Sequence, residues 1–386
     1  MKPRLILFVD HAIAVGGAER CLLLLMTFLD RNRWQPHLIA PYGQLAEEAA
    51  GAGIPVHIQD LPRLRGSSRS LLDLWKQGLR ISRTAREISA ALIHSITVRA
   101  TAYASLAARL ASVPLVWHMG DFWLSEDEPA AKRVDRLGKS VFCSMASRVI
   151  TMSHAVAEHL PCSNNASVLH NGIDLAHFDL AHNTAQNRAN ICKAAGFPAA
   201  APIVGMVGRM RPWKGQETFL RMARQLSEQV PECRFLIVGG DPFGVQDDYE
   251  ARLLALGSQP SLAARVHWTG QLADVRPPLA AMDLFVHPGA PEPFGLVNIE
   301  AMAMGKPVVA FGHGALPEIV LHEETGLLAQ PGDTAALTAS VTRLLKAPAL
   351  SRSMGRAGRR RVQEHFRIER TVDQLEGLYQ ELVESE

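Results

Sequence analysis

Short apolar runs alternate along this chain with longer stretches of helical periodicity. RLILFV (4–9), PHLIA (36–40), VHI (56–58), ALIHSI (91–96), VPLVWH (113–118), RVITM (148–152) and SVLHN (167–171) read as strands. Between them, AERCLLLLMTFL (18–29) and RATAYASLAARL (99–110) return apolar residues to one helical face. Strands that alternate with helices run parallel, because each helix carries the chain back to the same end of the sheet. The rhythm stops over 172–201, a polar, Ala-rich stretch without a strand. It restarts at PIVGMVG (202–208) and continues through RFLIVGG (234–240), RVHWTG (265–270), DLFVHP (283–288) and PVVAFG (307–312). The pattern predicts an α/β protein of two doubly wound parallel-sheet domains, over 1–190 and 191–365, with a charged helical tail over 366–386. Open parallel sheets bind ligands at the carboxyl ends of their strands. Chemistry is therefore expected in the loops that follow the strands.

The 386 residues, 47% of them apolar and 20% charged, suit two soluble domains of ordinary size. Two basic residues and the apolar run Leu5 to Val9 imitate a signal peptide, but Asp10 and His11 cut the run short, and a buried first strand is the better reading. No uninterrupted apolar run approaches the ~18 residues of a membrane span. Cys21, Cys143, Cys162, Cys192 and Cys233 are odd in number and contain no CxxC pair. Neither a disulfide framework nor a zinc site is expected from them, and a reducing, cytoplasmic compartment fits. The sequon at Asn165 carries no meaning there.

A net charge of +2 gives no reason to expect a nucleic-acid partner, but it hides an asymmetry. Residues 1–200 hold 21 Lys/Arg against 16 Asp/Glu, and residues 201–386 hold 19 against 22. The surplus is densest over 61–88, where Arg63, Arg65, Arg69, Lys76, Arg80, Arg83 and Arg86 outnumber Asp73 and Glu87. Leu71, Leu72, Leu74, Trp75, Leu79 and Ile81 share the segment. Two readings stand: a basic amphipathic helix lying on an anionic membrane, or a solvated helix packed on the sheet by its Leu/Trp face.

Gly16 and Gly17 precede the first helix, where a bare backbone and a helix N-terminus suit a close-lying anion. They match neither GxGxxG nor a P-loop, and a plain turn reads equally well. His118 sits at the end of a strand, with Asp121 near enough in sequence to orient it or to cap a turn. Arg209, Arg211 and Lys214 crowd one strand-to-helix loop, VGRMRPWKGQ (207–216). Three cations there repel one another unless an anion joins them, and a diphosphate is the anion that suits. In EPFGLVNIE (292–300), Pro293 and Gly295 hold Glu292 in a loop and place Glu300 in the helix that opens near Leu296. A carboxylate beside free helix amides suits sugar hydroxyls, and one further down the helix suits a ribose diol.

Taken in order, GGAER (16–20), His118, SHAVAEHL (153–160), VLHNGID (168–174), VGRMRPWKG (207–215), VGG (238–240), EPFGLVNIEAMAMGKPVVA (292–310) and ETGLL (324–328) resemble family 4 of the retaining glycosyltransferases. The resemblance covers nearly the whole chain. It implies a GT-B fold: two Rossmann-like domains, acceptor-binding and then nucleotide-sugar-binding, with the final helix crossing back to the N-terminal domain. Leu375, Leu378, Tyr379 and Leu382 would dock that helix. Arg209 and Lys214 match the family's diphosphate-binding pair, and Glu300 its ribose ligand. Glu292, with the backbone of Phe294, Gly295 and Leu296, matches its grip on the transferred sugar. Gly16 and Gly17 would line the N-terminal wall of the cleft, and His118 would contact the donor sugar. The chain departs from the family at Met119-Gly120, which intervene before Asp121, and at GHGALPE (312–318), where many members carry Gly-Gly before Pro-Glu.

The implied reaction moves a sugar from a UDP-sugar or GDP-mannose to an acceptor hydroxyl. The acceptor would be a glycan, a lipid-linked glycan or a small molecule. Metal and other cofactors are not expected, because two cations and a helix N-terminus meet the leaving diphosphate and no DxD motif is present. A cytoplasmic location is expected, with a peripheral position on the inner face of the cytoplasmic membrane under the first of the two readings of 61–88. Competing classes are a small-metabolite transferase, a GT-B epimerase of nucleotide sugars, and a glycoside hydrolase using Glu292 and Glu300. A hydrolase has no use for the RMRPWK cations. A nicotinamide enzyme lacks its third glycine here.

Overall fold

The computed structural model describes residues 2–64, 68–124, 131–182, 184–240 and 248–384. The chain divides into two compact units, Met1–Gly172 with Ile368–Glu386, and Ile173–Arg367. The first opens with β1 (Arg4–Val9), α1 (Gly17–Phe28), β2 (Trp34–Ala40), α2 (Gln44–Gly51), β3 (Val56–Ile58) and α3 (Ser68–Glu87). It continues with β4 (Ala90–Ser95), α4 (Val98–Ala111), β5 (Leu115–Met119), α5 (Lys132–Met145), β6 (Arg148–Thr151), α6 (His154–Ala157) and β7 (Ala166–Val168). All pairings are parallel, in the order β3-β2-β1-β4-β5-β6-β7. Strand order reverses between β1 and β4, and the loops leaving those two strands part to either face of the sheet.

The second unit contains α7 (Ala185–Ala195), β8 (Ile203–Val207), α8 (Gln216–Gln229), β9 (Arg234–Val238), α9 (Tyr249–Gly257), β10 (Val266–Trp268) and α10 (Arg276–Ala281). Then come β11 (Leu284–His287), α11 (Leu296–Ala303), β12 (Val308–Phe311), α12 (Leu316–Ile319), β13 (Gly326–Ala329), α13 (Thr334–Lys346) and α14 (Pro348–His365). Its parallel order, β10-β9-β8-β11-β12-β13, reverses between β8 and β11. Strand β13, Gly-Leu-Leu-Ala, has no β-branched or aromatic residue to mark it and was not among the expected strands. α15 (Ile368–Glu384) closes the chain's fold by returning to the first unit. There Ile368, Val372, Leu375, Tyr379 and Leu382 join a core with Ile6, Phe8, Leu22, Met26 and Trp34. Tyr379 Oη lies 2.5 Å from Nδ1 of the buried His94.

Three expectations need correction. A boundary at residue 190 would cut α7, whose Thr184 cap and Gly196 terminus define it as one helix. Arg188 on that helix donates to Ala281 O and to Asp283 and so ties it to the second unit. Cys143 and Cys162 form a disulfide, because the end of α5 and the loop after α6 bring their Cα atoms to 6.1 Å. Scatter in sequence concealed that proximity, so the cysteine argument for a reducing compartment falls. Third, α3 packs inward through Ile81 and Ala85, while Leu71, Leu72, Trp75 and Leu79 are 51–70% exposed. Of the apolar residues read as its Leu/Trp face, Leu74 and Ile81 pack on the core and the other four are exposed. Arg65, in the same basic segment, lies outside the described residues. Among the described residues no helix is long and apolar enough to cross a membrane.

Candidate active site

At the strand-order reversal of the second unit, the loops after β8 and β11 lie against each other. Gly215 adopts φ +81°, and a Cβ there would stand 2.4 Å from Pro288 O, so only glycine lets the two loops meet. Ala290 N–H donates to Trp213 O at 2.7 Å across the same seam. The contact delivers Lys214 Nζ to within 2.5 Å of Glu292 Oε1. His287, the last residue of β11, is buried and places Nε2 3.5 Å from that oxygen. Asn298 Nδ2 lies 3.4 Å from His287 Nδ1 and donates to Gly295 O at 2.9 Å.

A third loop supports Glu292 from the side of β12. Gly314 sits at φ +57°, where a Cβ would approach Glu292 O to 2.6 Å, and Ala315 N–H donates to that carbonyl at 2.9 Å. The departure GHGALPE thus keeps a glycine at the position whose backbone demands one. His313 of the same loop donates from Nε2 to Gly289 O at 3.0 Å.

Burial by itself would raise the pKa of Glu292. The Lys214 charge and the His287 imidazole outweigh it and hold the carboxyl down at about 2. Glu292 is therefore an anion in a dry setting. Lys214 thus has its counter-ion within the fold, in Glu292. Arg211 is buried and donates to Met210 O, and Arg209 is exposed while Gln216 Nε2 holds its carbonyl. Gly295, in the left-handed region, caps α11, which begins at Leu296 and carries Glu300 half-buried in its second turn. Phe294 is 2% exposed and stacks edge-on with Phe366, so its side chain belongs to the core.

In the first unit, α1 starts at Gly17 with Gly16 as its cap, and Glu19 Oε2 accepts the Gly16 N–H at 2.8 Å. His118 lies within β5 and is 2% exposed, with both ring nitrogens buried and unpartnered. Burial pushes its pKa down to about 4, so the imidazole is neutral. Asp121 does not orient it; its Oδ1 accepts the next residue's N–H at 2.7 Å, the turn-capping alternative.

The reversal between β1 and β4 holds residues the sequence reading passed over. Asp10 is fully buried, accepts the Ala12 N–H at 2.8 Å, and has Oδ2 without a partner. Burial, and then the Glu19 charge, push its pKa up to about 7. His11 Nδ1 lies 2.6 Å from Thr97 Oγ1, and burial with the Arg99 and Arg63 charges brings it down to about 4. In sequence, Asp10 and His11 register only as the end of an apolar run.

Residues 15–177 match the family described as Glycosyltransferase Family 4, and residues 187–361 match Glycosyl transferases group 1. The lipopolysaccharide core biosynthesis mannosyltransferase LpcC of Rhizobium leguminosarum bv. viciae is 29% identical, over 86% of this chain and 87% of that protein. A D-inositol 3-phosphate glycosyltransferase of Streptomyces avermitilis is 34% identical, over 60% of this chain and 51% of that one. The crystal structure of Anabaena HepE in complex with UDP-glucose aligns at a TM-score of 0.83 and 27% identity, over 98% of this chain and 100% of that one.

Proposed function

Since this chain belongs to the family 4 glycosyltransferases of GT-B fold, and is a hexosyltransferase, we propose that it moves a hexose from a UDP-sugar or GDP-mannose to an acceptor hydroxyl, with retention at the anomeric carbon. The acceptor is a lipid-linked glycan or glycolipid of a bacterial surface. The observation that carries this reading is the ionised, buried Glu292 held by Lys214 and His287 at the ends of β8 and β11. A fixed anion in a dry pocket accepts hydroxyl hydrogen bonds strongly, which suits the transferred sugar. Lys214 and Arg209 are the cations that would meet the diphosphate, whose charge grows as the glycosidic bond breaks. They stabilise the transition state more than the ground state. Glu300 is spaced along α11 to take the ribose diol. No metal is required.

The lipopolysaccharide mannosyltransferase and the UDP-glucose complex among the relatives support a nucleotide-hexose donor of this kind. Nucleotide release and label transfer from UDP-glucose and GDP-mannose into extracted glycolipid would test the reading. Glu292→Ala should lower turnover on the order of 10²–10³-fold, and Glu300→Ala should mainly weaken nucleotide binding. Unchanged transfer in both variants would overturn it, and an inverted anomeric centre in the product would overturn retention.

A further inference from the structure

Helices α3, α4 and α5 cover one face of the first sheet, with α4 in the middle and touching both neighbours. α3 is anchored by Ile81 and Ala85 in the core that also holds Tyr103 and Ala107 of α4. α5 is anchored by Phe142, whose ring lies 5.4 Å from that of Trp117, and by the buried pair Asp135–Lys139 at 2.7 Å. Each flanking helix turns a second apolar stripe to solvent. On α3 it is Leu71, Trp75 and Leu79, at i, i+4 and i+8, with Leu72 beside them; the four are 64%, 53%, 51% and 70% exposed. On α5 it is Val134, Leu137, Val141 and Met145, at i, i+3, i+7 and i+11, exposed by 69%, 66%, 47% and 40%. Such spacing makes one continuous strip along a helix.

Arginine and lysine border both strips. Lys76, Arg80, Arg83 and Arg86 on α3 are exposed, as are Lys132, Arg133 and Arg136 on α5. Against these stand Glu87, exposed, and Asp73, half-buried; Asp135 is buried and already neutralised by Lys139. Apolar strips this exposed, on two helices of one layer, mark an interaction surface. Its cationic border selects an occupant that is anionic over a wide area and apolar beneath, which is the interface of a charged bilayer.

We propose that α3 and α5 together form a bilayer-docking face that recognises anionic lipid. The face extends the reading of a lipid-linked acceptor, for it sets where such an acceptor is met. It is built wholly from the first unit, so failure of the donor assignment leaves it intact.

Flotation of the full chain with phosphatidylcholine vesicles, with and without phosphatidylglycerol, tests it. Binding is expected only to the anionic vesicles, and added salt should weaken it. Leu137→Glu with Val141→Glu on α5, and Trp75→Glu with Leu79→Glu on α3, should each cut the vesicle-bound fraction about tenfold or more. Both double variants should keep the wild-type melting temperature and nucleotide-induced thermal shift, which separates loss of docking from loss of fold or of donor binding. Equal affinity for neutral vesicles, binding to neither, or full binding by both variants would overturn the proposal. So would a wild-type dimer that the α5 variant makes monomeric while vesicle binding persists, since a second copy would then cover the strip.

Discussion

Glu292 and Lys214 form a pair at the candidate site, and their energetics are asymmetric. Removing the cation leaves a buried anion with only His287 beside it, a change that costs about 3–5 kcal/mol when a buried pair is broken. Lys214→Ala should therefore lower unfolding free energy in urea by an amount of that order at pH 7. The Glu292 pKa is depressed to about 2, so its pairing stabilises the fold above the ordinary carboxylate range and is lost as pH falls toward 2. The deficit of Lys214→Ala should accordingly shrink in acid. Asp10 works in the opposite sense. Its raised pKa means that the folded state holds a proton the unfolded chain gives up, and stability falls from pH ~4 to about 7. Asp10→Asn keeps the acceptor for Ala12 N–H and should be more stable than wild type at pH 8, by an amount on the order of a few kcal/mol, melting higher there and level with it near pH 4. A higher wild-type melting point at pH 8 would contradict this. The loop position of Glu292 and the helical one of Glu300 were legible in sequence, because Pro293 and Gly295 have local consequences. The Lys214 partnership was not, since 78 residues separate its members. His287 and Asn298 belong to no local pattern that marks them.

Among the elements, the strands were legible wherever β-branched runs met glycine or proline, and β13, Gly-Leu-Leu-Ala, was not, because it has no β-branched residue. Periodicity showed which side chains share a face of α3 but could not show whether anything covers that face. Tertiary packing decides it, through Ile81 and Ala85. α15 shows the reverse case: its apolar spacing pointed to docking, and it buries Leu375 and Tyr379 among strands from the start of the chain. Tyr379→Phe removes the hydroxyl and leaves His94 Nδ1 buried without its partner. A loss of about 1–3 kcal/mol is expected, read as a lower denaturation midpoint with an unchanged slope. A variant as stable as wild type would show that the 2.5 Å contact contributes nothing net.

For the whole molecule, the two series of strands announced two sheets, and the polar stretch between them located the division only roughly, because α7 reads as linker until its Arg188 contacts are seen. Each unit has its own apolar core. Ligand that binds only the folded state stabilises it by mass action, by about 2.7 kcal/mol at a hundredfold excess over Kd, and so raises the melting temperature. UDP or GDP, whichever matches the donor, should therefore raise it, and Glu300→Ala should diminish the shift. The shift and the transfer rate should both withstand EDTA, as expected if Arg209 and Lys214 supply the counter-charge; strict dependence on a divalent ion would refute that.

The return of α15 also orders events during synthesis. The second unit, Ile173–Arg367, has every residue of its core before α15 is made. The first unit is translated earlier, yet Trp34, Met26 and Phe8 lack their covering helix until some 195 further residues have followed. At ~5–20 residues per second that interval is roughly 10–40 s. The later-made half of this chain is thus the first able to mature, and the nascent N-terminal half is the client a chaperone would have to shelter.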